Sequence, residues 1–358
     1  MVCDVFLAIT AHGYGHATQA GAVVRALRER RPNLGLTVQT TLPREFLDDV
    51  IRGPFDLVPA ASDIGLVNRS AFEVDVEASA AAYRAFHADW DERVAAAADS
   101  LRAISPRLVL SDVPYLPLAA AARHGIPAVG FCSLNWADIY AHYLGGRPEA
   151  GSVIAQIREA YASASIFIVP APGMPMPWLE TVRPVGPCAA RGVDRRAELA
   201  SRCGAAPGDR LVMVAVGGLP WQAGYGDWPV TPGFRWVVQG GDAPGRRDMM
   251  RLADAGMPAI DVMASVDAVV GKLGYSLPVE AACHGKPMLY VPRPDWPETP
   301  YVSAWMERHA ASAGIDLESL RDGRFVGALQ GLLAVPSPTP VDATGAGEAA
   351  DMILDLLR

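Results

Sequence analysis

Residues 12–16 read His-Gly-Tyr-Gly-His, directly before a helical pattern that carries Val23, Val24 and Leu27 on one face. Imidazole titrates near neutral pH, so His16 can accept a proton from a hydroxyl. Gly13 and Gly15 permit a tight turn and close approach of a ligand to the backbone. Such a base needs an acid to set its tautomer and to stabilise the imidazolium. Asp112 follows the apolar run Arg107–Ser111, and a parallel sheet would bring it to the same edge as His16. A plainer reading stays open, in which His16 satisfies its own loop and Asp112 begins a turn with Pro114. His12 is a substrate-contact candidate by residue type alone.

Residues 272–280 read Lys-Leu-Gly-Tyr-Ser-Leu-Pro-Val-Glu, behind the buried-strand run Asp267–Val270. Gly274 permits a turn, and Ser276 is placed to cap a helix beginning near Leu277. Pro278 is tolerated in a first helical turn. The exposed amides and positive end of that helix attract a pyrophosphate. Glu280, one turn further in, can reach sugar hydroxyls. Taken singly, Gly274 also suits an ordinary strand–helix turn, and Glu280 a solvent-facing helix position. A dinucleotide fingerprint is a poor competitor for the N-terminal loop, because Gly13 to Thr18 lacks the third glycine.

Both loops need strands to carry them. Val2 to Thr10 is a short apolar run suited to a strand buried on both faces, and Leu36 to Thr41 reads as the next strand. Ala78 to Ile104 reads as one alanine-rich helix. Strands follow at 107–110, 126–131 and 166–169, the last closing the first half. Residues 170–190 are rich in proline and glycine, as a restrained connection would be. A second series starts at Leu211–Val216, followed by Gly217 and Gly218, with further strands at 234–239, 267–270 and 288–291. Alternating strands and helices predict α/β architecture with doubly wound parallel sheets, whose ligands lie beyond the strands' carboxyl ends. The expected domains are 1–170 and 191–339, joined by a linker at 171–190, with a terminal helix in 340–358 packing back on the first.

The 358 residues carry 31 basic against 39 acidic side chains, a net charge of -8, which excludes a general nucleic-acid surface. Five scattered cysteines form no C-x-x-C pair, so neither a structural metal nor a disulfide framework is expected. No apolar run approaches the about 20 residues that span a bilayer, and Met-Val-Cys-Asp does not open a leader, so a cytoplasmic protein is expected. Trp136, Tyr140 and Tyr143 either line an acceptor pocket or pack in the core. Met249, Met250 and Met263 read as core fillers. Oligomeric state is left open.

The segment 267–293 resembles the donor-binding motif of GT-B glycosyltransferases, the superfamily of the plant UDP-sugar transferases. The chain as a whole is similar to the glycosyltransferase-like N-terminal region of L-arabinokinases. The resemblance implies two Rossmann-like domains facing across a cleft, and no cofactor or metal. It makes His16 the base and Asp112 its orienting acid, with His12, Gly13, Gly15 and Trp136 on the acceptor side. Gly274 matches the phosphate-loop glycine, Tyr275 and Ser276 the residues at the pyrophosphate, and Glu280 the acid that binds the donor ribose. Lys272 stands where plant enzymes carry a phosphate-binding histidine, and Gly217 and Gly218 match the loop after the donor domain's first strand. The chain departs from the pattern at 292–300, Pro-Arg-Pro-Asp-Trp-Pro-Glu-Thr-Pro, where the family places an Asp-Gln pair on the donor sugar. Asp295 or Glu298 would take that contact.

The expected activity is transfer of a sugar from a nucleoside-diphosphate sugar, a UDP-sugar by resemblance, to an acceptor hydroxyl, inverting and metal-independent. The alternatives are a nucleotide-sugar-binding module without transfer, and a sugar-nucleotide epimerase of the same architecture.

Overall fold

The computed structural model describes residues 3–217, 224–240, 245–336 and 339–358. They form two compact units, Met1–Cys188 with Thr344–Arg358, and Ala189–Ala343. In chain order the first unit runs β1 (Val5–Ile9), α1 (Gly15–Arg30), β2 (Leu36–Gln39), α2 (Arg44–Ile51), β3 (Asp56–Val58), α3 (Val76–Ala88), α4 (Trp90–Ile104) and β4 (Leu108–Asp112). It continues with α5 (Leu116–Arg123), β5 (Ala128–Phe131), α6 (Trp136–Leu144), α7 (Ala150–Ala162), β6 (Ile166–Ala171) and β7 (Val182–Pro187).

Every residue of β1 and β4 is buried, as continuous apolar strands in the middle of a two-faced sheet must be. Among the described residues the sheet order is β3-β2-β1-β4-β5-β6-β7, all parallel. The order reverses between β1 and β4, the topological switch point where ligands bind beyond the carboxyl ends. Ile9 there pairs with Asp112, so the loop to His16 and the end of β4 leave the sheet side by side.

The expected single helix over 78–104 is two. Asp75 caps α3 by accepting from the Ala78 amide at 3.0 Å, and the chain breaks at Asp89, whose φ of -115° and ψ of 42° are not helical. The stretch 171–190 is more than a connection, because β7 lies inside it and extends the sheet beyond β6.

The second unit comprises α8 (Arg196–Arg202), β8 (Arg210–Ala215), β9 (Phe234–Val238), β10 (Met249–Arg251), α9 (Ala259–Ser265), β11 (Ala268–Lys272), α10 (Ser276–Cys283) and β12 (Met288–Val291). After these come α11 (Thr299–His309), β13 (Ser312–Gly314), α12 (Leu317–Asp322) and α13 (Val326–Leu333). Its described strands run β10-β9-β8-β11-β12-β13, again parallel, repeating the first unit's winding. The switch falls between β8 and β11, and Gly271 packs so closely there that an added Cβ would overlap Ala215 O. Met263 is buried, whereas Met249 and Met250 sit half-exposed on the edge strand β10. The chain ends in α14 (Gly345–Leu356), which returns to the first unit and packs on α1 and β7. No described helix is long and apolar enough to cross a membrane.

Candidate functional site

The first group of residues sits at the switch point of the N-terminal unit. Beyond β1, Thr10 donates its amide to Asp112 O at 2.9 Å, which carries the strand pairing one step into the loop. Gly13 follows with φ of 92°, a left-handed conformation that favours glycine. Gly15 opens α1, and His16 lies in its first turn. His16 Nδ1 stands 2.9 Å from Asp112 Oδ1, with the histidine 7% and the aspartate 0% exposed. Burial raises the Asp112 carboxyl above its usual value, while the His16 hydrogen bond, the His16 charge and Cys132 oppose that shift. A carboxylate here takes the hydrogen of Nδ1, which puts the ring's lone pair on Nε2.

His12 belongs to the same loop but has a different setting. Its Nδ1 accepts from the Leu66 amide at 3.3 Å, so its tautomer is the reverse of that of His16, and its ring meets the Trp136 edge at 5.3 Å between centroids. Trp136, the first residue of α6, is fully buried and lies 6.4 Å from the His16 ring. It walls the site from behind. Tyr140 is buried as well, and Tyr143 packs edge-on against His142.

Two neighbours escaped the sequence reading. Asp63, on the loop after β3, accepts from Thr10 Oγ1 at 3.0 Å and from Trp136 Nε1 at 2.7 Å. Burial pushes its carboxyl up to about 6 although both hydrogen bonds and the His16 charge pull it down, and Asp112 adds to the rise. The available signal was a single acidic residue on the loop after a strand that is itself too short to recognise. Cys132, one residue past β5, places Sγ 3.6 Å from His16 Nδ1. Among the described residues, His16, Asp112 and Cys132 are the group whose ligand atoms lie close enough, within 4.8 Å, to hold a metal ion. The 2.9 Å separation of nitrogen and oxygen is equally that of a charge-assisted hydrogen bond.

The raised Asp63 carboxyl sets a measurable pH effect. The folded protein holds this proton more tightly than the unfolded chain, so the group costs stability as pH rises from about 4 through about 6. Asp63→Asn abolishes the titration. Its stability relative to the unaltered protein therefore rises between about pH 4.5 and about pH 7.5 in urea denaturation. A difference that stays constant over that window contradicts the assignment.

The second group lies at the switch point of the other unit. Gly217, beyond β8, has φ of 90° and donates its amide to Gln239 Oε1 at 3.1 Å. Gly218 lies outside the described residues. Lys272 ends β11 and reaches toward Gly217, where an added Cβ would lie 3.7 Å from Nζ. Burial brings the Lys272 ammonium down to about 7; Arg293 pushes the same way and Glu298 opposes. Gly274 has no positive φ, but an added Cβ there would meet no atom within 4 Å, leaving its backbone open to approach. The expected capping role of Ser276 is displaced by one residue, because α10 begins at Ser276 itself and buried Tyr275 holds the cap position. Glu280 lies half-buried on the second turn of α10. Glu298 is 3% exposed, opens α11 and accepts from Trp296 Nε1 at 3.3 Å.

No known protein-family profile matches the chain. L-arabinokinase of Arabidopsis thaliana is 28% identical over 353 residues, covering 97% of this chain and 33% of the relative, so the chain spans about a third of that protein's length. Among solved structures, the kitacinnamycin glycotransferase matches with a TM-score of 0.62 at 16% identity, over 99% of this chain and 94% of its own. The calicheamicin glycosyltransferase CalG4 gives 0.57 at 16% identity over 100% and 94%. UGT89C1 of Arabidopsis thaliana, solved with UDP, gives 0.57 at 12% identity over 98% and 90%. With its two parallel sheets and these neighbours along nearly its whole length, the chain has the α/β fold of GT-B glycosyltransferases and resembles L-arabinokinase in sequence.

Proposed function

We propose that the chain transfers a sugar from a nucleoside-diphosphate sugar, a UDP-sugar, to an acceptor hydroxyl, inverting the anomeric centre without a metal. The observation that carries this reading is the buried His16–Asp112 pair at 2.9 Å on the switch-point edge of its sheet. The acceptor hydroxyl gives its proton to Nε2 of His16, and Asp112 stabilises the imidazolium. The acceptor oxygen bonds to the anomeric carbon as that carbon's bond to the diphosphate oxygen breaks. Lys272 and the amides at the start of α10 take the charge left on the diphosphate, an electrostatic task that protein groups can perform alone. Glu280 and Glu298 hold the donor's hydroxyls, with Gly217, Gly274, Tyr275 and Ser276 shaping the phosphate side. His12, Gly13, Gly15 and Trp136 form the acceptor side.

UDP is favoured because one structural neighbour was solved with it, although another, VinC, was solved with DTDP. A second reading has one observation behind it. The sequence relative is a kinase of which this chain matches a third, and on that reading the region binds a nucleotide sugar without transferring it.

A thermal-shift assay with UDP and dTDP tests the donor half. Ligand at about 100 times Kd stabilises the folded unit by about 2.7 kcal/mol, which raises its Tm by several degrees. No shift with either nucleotide overturns the reading. A shift without sugar transfer to any hydroxyl in a broad acceptor panel favours the binding module.

A further inference from the structure

Three donor atoms of different kinds meet where β1, β4 and β5 leave the first sheet. These strands are consecutive neighbours: Ile9 of β1 pairs with Asp112 of β4, and Ser111 of β4 pairs with Gly130 of β5. Asp112 ends the middle strand, Cys132 is the first residue beyond β5, and His16 reaches both from the first turn of α1. The backbone is tied down on either side. Asp112 O accepts from the Thr10 amide at 2.9 Å, and the Cys132 amide donates to Ile168 O at 3.1 Å. Asp112 and Cys132 are fully buried, and His16 is nearly so.

The separations match those that a metal ion imposes on its ligands. Zinc holds nitrogen at about 2.0–2.1 Å, oxygen at about 2.0–2.2 Å and thiolate sulfur at about 2.3 Å, in a tetrahedral array. Sulfur and nitrogen then stand about 3.6 Å apart, and nitrogen and oxygen about 3.4 Å apart. Cys132 Sγ lies 3.6 Å from His16 Nδ1, and Asp112 Oδ1 lies 2.9 Å from the same nitrogen. The first distance already has the metal-bound value, and the second needs to open by about 0.5 Å. All three ligand atoms lie within 4.8 Å of one another. An imidazole, a carboxylate and a thiolate together suit a borderline-soft ion, whereas magnesium and calcium favour oxygen ligands.

We propose that His16, Asp112 and Cys132 form a binding site for a borderline-soft divalent cation such as zinc, which switches the proposed base off. The ion takes the place of the hydrogen that Nδ1 shares with Asp112. Cys132 releases its thiol proton to solvent, and the imidazole hydrogen passes from Nδ1 to Nε2, so the ring stays neutral. Three protein ligands leave the fourth position to a solvent oxygen. Nε2 then has no lone pair with which to take the acceptor's proton. The ion is an inhibitor and takes no part in transfer. Its binding stands on the geometry of the three side chains; its effect on turnover rests on the transfer reading above.

Titration with cobalt(II) tests the site without any sugar substrate. A cobalt–thiolate bond gives a charge-transfer band in the near ultraviolet, and a tetrahedral site gives intense visible bands. About one cobalt per chain is expected to bind with both signatures, displaced by zinc and not by magnesium. Cys132→Ser removes the sulfur band and weakens zinc binding by at least the about 10–100-fold that even an outer-shell partner is worth. His16→Gln weakens zinc binding likewise, which separates a lost ligand from altered packing around Cys132; circular dichroism checks that both variants fold. With zinc bound, sugar transfer by the unaltered protein falls by about 10²–10⁴-fold, the worth of the base, and a chelator restores it. Absence of the sulfur band, its survival in Cys132→Ser, or unchanged zinc affinity in both folded variants overturns the site. Zinc binding that leaves transfer undiminished overturns the switch. Lack of transfer in the zinc-free protein removes the switch together with the transfer reading, and the titrations still decide the site.

Discussion

His16→Ala lowers kcat by about 10²–10⁴-fold and leaves UDP affinity unchanged. The size follows from what the ring does. In the proposed mechanism the ring is a positioned general base, which is worth that range, and Asp112 at 2.9 Å would supply its fixed tautomer and countercharge. The split follows from the fold. His16 lies in the first turn of α1 in the N-terminal unit, whereas the proposed diphosphate contacts lie on β11 and α10 of the other. A loss confined to turnover therefore identifies His16 as a group acting on the acceptor. Steady-state kinetics with saturating donor, beside an independent UDP titration, checks it. Turnover kept within about tenfold removes His16 from the proton transfer.

Trp136→Ala destabilises the protein by about 3–5 kcal/mol. The indole is fully buried, so truncation leaves a large cavity where little can collapse. It also takes from Asp63 one of its two hydrogen-bond donors, leaving Oδ2 without its indole partner. Trp136→Phe divides these effects, filling most of the space while still removing the donor, and costs about 1–3 kcal/mol. Equilibrium denaturation followed by circular dichroism measures both variants. A loss below about 1 kcal/mol for the alanine variant would mean that the ring borders open space. That result would put the ring on the open surface of the proposed acceptor side rather than in the packing behind it.

What could be read from the sequence was what apolar runs encode. β1, β4, β8 and β11 are nearly continuous hydrophobic stretches, as central strands covered on both faces are. The three-residue strands β3, β10 and β13 offer no such run, and none is fully buried. β7 was hidden by its own composition. Val-Arg-Pro-Val-Gly-Pro argues against a strand, yet β7 is at the edge of its sheet, where missing amide donors are tolerated. The break at Asp89 had no proline or glycine to announce it.

At the site the same division holds. His16 and Asp112 could be paired on paper because each follows the carboxyl end of a strand, and those strands are adjacent in the usual winding of such sheets. Asp63 and Cys132 reach them by loop paths that no periodicity specifies.

The return of α14 to the N-terminal unit has a consequence for the order in which the molecule is made. Ala349, Ala350 and Ile353 belong to the same hydrophobic cluster as Val23, Val24 and Leu27 of α1, about 325 residues earlier in the chain. During synthesis, the unit that emerges first cannot close that face until residues 344–358 have left the ribosome, after all of the other unit. The later-made half, continuous in sequence, can reach its native state while the earlier one still waits with part of α1 uncovered. A nascent chain stalled anywhere in the second unit thus presents an apolar helix face to chaperones until residues 344–358 emerge to cover it.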